Sequence, residues 1–389
     1  MAPHLDYERA RRLLRRERLD AVLLYSPENF YYASGCSSML AWLYREAPLR
    51  FALIPASADV APALLLPAPD VEQARRASGI EDVHGIPVWY QPVTPADPEG
   101  VGQLLAGPPP PLPAQYDRAE ICRQVALRLK ARGLARGRVG LDLDYVDAKT
   151  FAALREAVPE VAFVDATDLL YELRAVKSPA EVAALRLAAQ VTAAGIRAAG
   201  DSISAQSTGA TIAEAFVRGA WAEARRLGVA ADLGAMDGRP GFGFWGPAPA
   251  QGADLPPGAT VKFDVQAIVA HYLADLGRTY VLGSPTAEQR RVWRVLAGAQ
   301  QRARDALRPG VRLGAVYAVA RETLDRGGLR GVGRGHFGHG VGLDVKVEEP
   351  PFIAAGSDQV LEPGMVLSVE APFFAQGIGA FQLADMCLV

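Results

Sequence analysis

Residues 261–282 read VKFDVQAIVAHYLADLGRTYVL, a strand-like stretch with two aspartates eleven positions apart, Asp264 and Asp275. Apolar positions alternate on both sides of its middle, the pattern of a half-buried antiparallel hairpin. A turn at Val269-Ala270 would set Asp264 directly opposite Asp275, with their side chains about 5 Å apart on one face. Two facing carboxylates repel each other, and a cation between them removes the repulsion.

Three further segments extend that reading. Residues 335–345, GHFGHGVGLDV, carry His336 and His339 among glycines that let backbone approach a site closely. Residues 361–372, LEPGMVLSVEAP, put Glu370 at the end of an apolar strand, where a carboxylate needs a partner. Residues 379–389, GAFQLADMCLV, form a last short strand. Acidic residues and one histidine delivered by separate strands are the donor set of a divalent-metal site. The competing readings are a surface aspartate, a turn histidine and a salt-bridged glutamate.

The rest of the chain frames this region. A length of 389 residues exceeds one ordinary core and predicts two domains. Residues 1–172 alternate helices and strands, as in DAVLLYS (20–26), ALLLPAP (63–69) and RVGLDL (138–143), which predicts an α/β domain. GPPPPLPAQ (107–115) reads as a stiff connector within it. At 178–181 the sequence SPAE offers Ser178 as N-cap, Pro179 at N1 and Glu181 at N3, a capping box that opens a long helix. From residue 173 onward, strands and helices segregate, which predicts an α+β domain with an antiparallel sheet.

Composition narrows the partners. Lys and Arg total 41 against 43 Asp and Glu, a balance that argues against nucleic acid and anionic membranes. No apolar run is long enough to span a bilayer. The amino-terminal segment is charged and amphipathic, unlike a signal or transit peptide. Cys36, Cys122 and Cys387 are scattered, so packing roles and a reducing, cytoplasmic setting are expected.

Taken together, these segments resemble the pita-bread family of Xaa-Pro aminopeptidases, prolidases and creatinases. The resemblance runs from LDAVLLYSPENFYYASG (19–35) through LLYELRAVKSPAEVAALRLAA (169–189) to the four carboxyl-terminal motifs, in order and spacing. It implies a creatinase-type α/β domain, then a pita-bread domain with a dinuclear metal centre. It also implies a homodimer. Carried over, the metal ligands are Asp264, the bridging Asp275, His339 and Glu370.

The chain departs from that pattern at several points. The family's terminal Arg-Ile-Glu-Asp becomes Gln382-Leu383-Ala384-Asp385, which leaves Ala384 at the bridging glutamate. Lys346 stands at a substrate-side histidine and Pro247 at an upstream one. His336 and Lys346 are therefore the candidate catalytic residues, Lys346 as an ammonium able to neutralise the carboxylates. At most one weakly held divalent ion (Mn²⁺, Zn²⁺ or Co²⁺) is expected, or none.

Three activities fit these residues: a weakened Xaa-Pro exopeptidase, a metal-independent hydrolase of the creatinase kind, and a non-catalytic binder of a small peptide or small molecule. In the third, Phe242, Phe244 and Trp245 could line the pocket.

Overall fold

The structure is a computed structural model and describes residues 4–90, 112–229, 241–242, 255–332, 334–343 and 348–389. The chain divides into two compact units, 1–173 and 174–389.

The first unit is an α/β layer. In chain order it comprises α1 (Tyr7–Arg16), β1 (Ala21–Leu24), α2 (Pro27–Ser34), α3 (Met39–Tyr44), β2 (Phe51–Pro55), β3 (Ala63–Pro67), α4 (Val71–Ser78) and β4 (Asp82–Ile86). Then come α5 (Arg118–Ala131), β5 (Arg138–Leu141), α6 (Ala148–Ala157), β6 (Ala162–Asp165) and α7 (Thr167–Ala175), whose end enters the second unit. The strands form one mixed sheet in the order β4-β3-β2-β1-β5-β6. Its central strands are apolar on both faces and fully buried, which accounts for their uninterrupted hydrophobic sequences.

Asp142, just after β5, fixes the turn into α2. Its buried carboxylate accepts the backbone N–H of Tyr25 at 3.0 Å and Ser26 at 2.8 Å, and the Asn29 side-chain amide at 3.0 Å. Ser26 caps the same helix by accepting from Asn29 N at 3.2 Å.

The second unit opens with α8 (Pro179–Asp201) and α9 (Gly209–Arg226), followed by β7 (Gly241–Phe242), β8 (Thr260–Val265), β9 (Ile268–Val269), β10 (Tyr272–Leu273) and β11 (Leu276–Val281). Next are α10 (Ala287–Ala306), α11 (Leu313–Arg326), β12 (His336–Gly340) and β13 (Glu349–Ala354). The last elements are β14 (Val366–Glu370), β15 (Phe373–Ala375), β16 (Gly379–Phe381) and β17 (Ala384–Leu388). Seven strands pair antiparallel in the order β13-β12-β14-β17-β11-β8-β7, the α+β arrangement expected. Residues from α10, α11 and the β12–β14 region share one hydrophobic core.

The expected capping box is present: Ser178 accepts from Glu181 N, and Glu181 Oε2 from Ser178 N. Glu181 also receives the Tyr272 hydroxyl at 3.0 Å, so the helix cap holds the β9–β10 ribbon.

The hairpin register differs from the sequence expectation. Asp264 lies opposite Gly277, not Asp275. The turn falls on Ala270-His271, one residue later, and both have left-handed backbone, with φ of 50° and 67°. That pair of positive φ angles suits a two-residue hairpin turn, but Ala-His lacks the Asn or Gly that announces one. Moving the turn by one residue moves the pairing by two, so both aspartates keep the same face. Asp275 precedes β11 and sits diagonally from Asp264 across the ribbon.

Among the described residues no helix is long and apolar enough to cross a membrane.

Replacing Asp142 by Ala strands two buried N–H groups and should destabilise the amino-terminal unit by about 2–4 kcal/mol. Urea unfolding of the full chain would register this as a lower midpoint; an unchanged midpoint would contradict the capping role.

Candidate metal and substrate site

β8, β11, β12, β14 and β17 deliver the site. Antiparallel pairing sets Glu370 opposite Ala384 and His339 opposite Ser368. Gly338, beside His339, has φ of 144°, and a Cβ there would lie 2.1 Å from the Ser368 carbonyl oxygen. Only glycine lets β12 approach β14 closely enough to present the histidine. Gly277 does the same for β11: a Cβ would stand 2.3 Å from Gln382 Cγ.

Three of the four expected ligands converge. His339 Nε2 lies 2.7 Å from Glu370 Oε1 and 3.4 Å from Asp275 Oδ2. One donor atom from each of Asp275, His339 and Glu370 falls within 4.8 Å of the others, and all three are buried. His339 Nδ1 stands 2.8 Å from the Gly340 carbonyl oxygen, which orients the ring and aims Nε2 at the carboxylates.

The fourth, Asp264, is held differently. Its Oδ2 pairs with Lys262 Nζ at 2.9 Å, and its Oδ1 accepts from Gln382 Nε2 at 3.2 Å. The same amide nitrogen lies 3.4 Å from Glu370 Oε2, so Gln382 bridges two carboxylates. Arg334 is ion-paired to Glu370 and donates to Glu348 at 2.9 Å.

The electrostatics follow from these contacts. Burial would lower the pKa of His339, but its hydrogen bonds to Asp275 and Glu370 outweigh this and push it up to about 10. Burial also disfavours the Glu370 anion, yet His339 and Arg334 hold its carboxyl below the usual range. Asp264 moves up, chiefly through burial and against the pull of Lys262. His336, 3.5 Å from Glu348 Oε2, is shifted down by burial and by Arg334, which favours its neutral form.

Among the described residues, the converging donor set is that of one ion. Asp275, His339 and Glu370 could hold a single divalent cation, which would supply Lewis-acid polarisation of a substrate carbonyl. A second ion would need Asp264, whose two oxygens are taken by Lys262 and Gln382, and a carboxylate at position 384, where a fully buried methyl stands. Asp385 does not substitute. It pairs with Val369, one position out of phase with the Glu370–Ala384 pair, and binds Arg278 at 2.6 Å and Arg304 at 3.2 Å.

Lys346, Phe244, Trp245 and Pro247 lie outside the described residues, as does the side chain of Phe242. Among the described residues, the structure brings to the carboxylates two basic side chains that sequence reasoning passed over, Lys262 and Arg334. A signal existed for Lys262, which precedes Asp264 by two in a strand; for Arg334, outside β12 and an odd five positions before His339, there was none. Period-two spacing directs a pair such as Lys262 and Asp264 to one face.

The imidazolium has a checkable consequence. The folded pKa of about 10 exceeds the unfolded 6.5, so the stabilisation is complete below about pH 6.5 and fades as pH rises through 10. An ion at Nε2 must displace that proton, so Mn²⁺ affinity should rise about tenfold per pH unit between pH 6.5 and 8.5. Titration calorimetry in two buffers of different ionisation enthalpy reads this as about one proton released per ion. Proton-free binding would contradict the charged His339.

Comparison with known proteins places this geometry. The model of metallopeptidase family M24 matches residues 183–389, over half of the chain, and that of the creatinase/prolidase N-terminal domain matches residues 7–176. An Xaa-Pro dipeptidase of Pyrococcus furiosus is 33% identical over 132 residues, 34% of this chain and 37% of that relative. The match thus spans well under two thirds of that relative's length. Among solved structures, an Xaa-Pro dipeptidase from Bacillus anthracis superposes with a TM-score of 0.75 at 22% identity, covering 98% of this chain and 94% of the other. A prolidase from Pyrococcus furiosus gives 0.74 at 20% identity, covering 97% and 96%. At these identities the two structures establish a shared fold. The pita-bread sheet, the order of its motifs and the family match together make this chain a member of metallopeptidase family M24, with a creatinase/prolidase-type domain preceding the M24 domain.

Proposed function

We propose that this chain is a prolidase-like protein that takes a small peptide or a related small molecule and has given up two-ion hydrolysis of Xaa-Pro substrates. It retains at most one weakly held divalent ion (Mn²⁺, Zn²⁺ or Co²⁺), on Asp275, His339 and Glu370. Ala384 carries this reading: its buried methyl lies opposite Glu370 and Gly277, where a two-ion site requires a shared carboxylate. The Lys262 and Gln382 contacts on Asp264 point the same way. Family resemblance supports a homodimer, and the sparse, unpaired cysteines support a cytoplasmic setting.

A second reading is favoured by His336. Its neutral imidazole, 5.9 Å from the His339 ring and beside Glu348, suits a general base in a metal-independent hydrolysis of the creatinase kind. Lys346 belongs with either reading as an additional cation.

Metal content after dialysis against Mn²⁺, together with hydrolysis of Ala-Pro and Gly-Pro, separates these possibilities. The expected result is no more than one ion per chain and turnover at least on the order of 100-fold below a two-ion relative assayed alongside. Two ions per chain would refute the proposal. Turnover that survives chelation and falls in His336→Gln would favour the second reading.

A further inference from the structure

Asp264 is the carboxylate that the single-ion set leaves over, and the chain supplies it with a cation. Lys262 and Asp264 lie two apart on β8, opposite Thr279 and Gly277, and so face the same way. The Lys262 side chain is only 16% exposed, its Nζ 2.9 Å from Asp264 Oδ2. The ammonium also sits 5.5 Å from the centre of the Phe374 ring. A solvated lysine on a strand would extend into water. This one folds back between a carboxylate and an aromatic face, two contacts that each favour a fixed positive charge.

Gln382 completes the arrangement. It is fully buried, and its amide nitrogen spans Asp264 and Glu370. Its carbonyl oxygen finds no hydrogen-bond partner among the described residues. The amide is thus turned so that both carboxylates receive a donor. Lys262 and Gln382 occupy both Asp264 oxygens, the atoms a second divalent ion would need.

We propose that Lys262, seconded by Gln382, is a built-in counter-ion that replaces the second metal ion at Asp264, so that Ala384 is not the only barrier to a two-ion site. This rests on the reading that two-ion hydrolysis has been lost, and it adds a residue to the cause. An ammonium supplies one positive charge and three donors but no Lewis-acid site. It keeps the carboxylate in place while removing the metal chemistry.

Calorimetric titration with Mn²⁺ alone tests the idea on the full chain. Wild type and Ala384→Glu should each bind at most one ion. Ala384→Glu combined with Lys262→Met should bind two, whereas Ala384→Glu with Lys262→Arg should stay at one. A second ion on Ala384→Glu with Lys262 in place would overturn the inference, as would a Lys262→Met combination that binds no more than Ala384→Glu. Two ions on the wild type would instead overturn the proposed function. Thermal melts check the pairing independently of metal. Lys262→Met should lower the melting temperature by roughly 2–4 °C, and adding Asp264→Asn should recover most of it. An unchanged melt in Lys262→Met would also sink the counter-ion role.

Discussion

Three carboxylates on one side of an antiparallel sheet, two of them buried, cannot all stay ionised without compensating positive charge. Asp264, Asp275 and Glu370 impose that demand, and the surrounding structure answers it. His339 is held as an imidazolium between Asp275 and Glu370, Arg334 closes on Glu370, and Lys262 closes on Asp264. Each of these cations sits on a strand or loop whose backbone must come close. The glycines at 277 and 338 follow from the same demand. So does the bridging amide of Gln382, which tempers repulsion that a charge alone does not reach.

This arrangement bears on chemistry as well as on stability. A divalent ion shared between carboxylates concentrates positive charge and leaves coordination positions open to substrate. Ammonium, guanidinium and imidazolium groups also satisfy carboxylates, but as hydrogen-bond donors with no vacancy for a carbonyl oxygen. In this chain the carboxylates stay in place on the M24 fold because Lys262, Arg334 and His339 meet the electrostatic requirement that the fold itself poses. Members of one fold family differ in function through such substitutions at the site, not through changes in the sheet.

Much of the architecture was legible in the sequence because it rests on local rules. Ser178, Pro179 and Glu181 announced a helix start through side-chain and backbone hydrogen bonding within four residues, and the structure has it. The alternation around Asp264 announced an antiparallel ribbon. Its register was not legible, since the turn rests on Ala270 and His271, neither of which favours left-handed backbone. What holds that turn is tertiary: the Tyr272 hydroxyl on Glu181 and the Leu273 amide on the Gly342 carbonyl.

The sequence by itself determined the family, the order of the site motifs along the chain and the alanine at position 384, because these depend on residue identity and spacing. Tertiary structure alone decided which charges meet. Two-residue spacing puts Lys262 on the face of Asp264, but nothing local says whether its ammonium turns to that carboxylate or to water, or that Arg334 reaches Glu370. That choice is made by packing: β8 against β11, Phe374 beside the Lys262 ammonium, and Gln382 laid over a glycine. Long-range electrostatics is a property of the assembled sheet, so the partners of the carboxylates became visible only once the strands were in place.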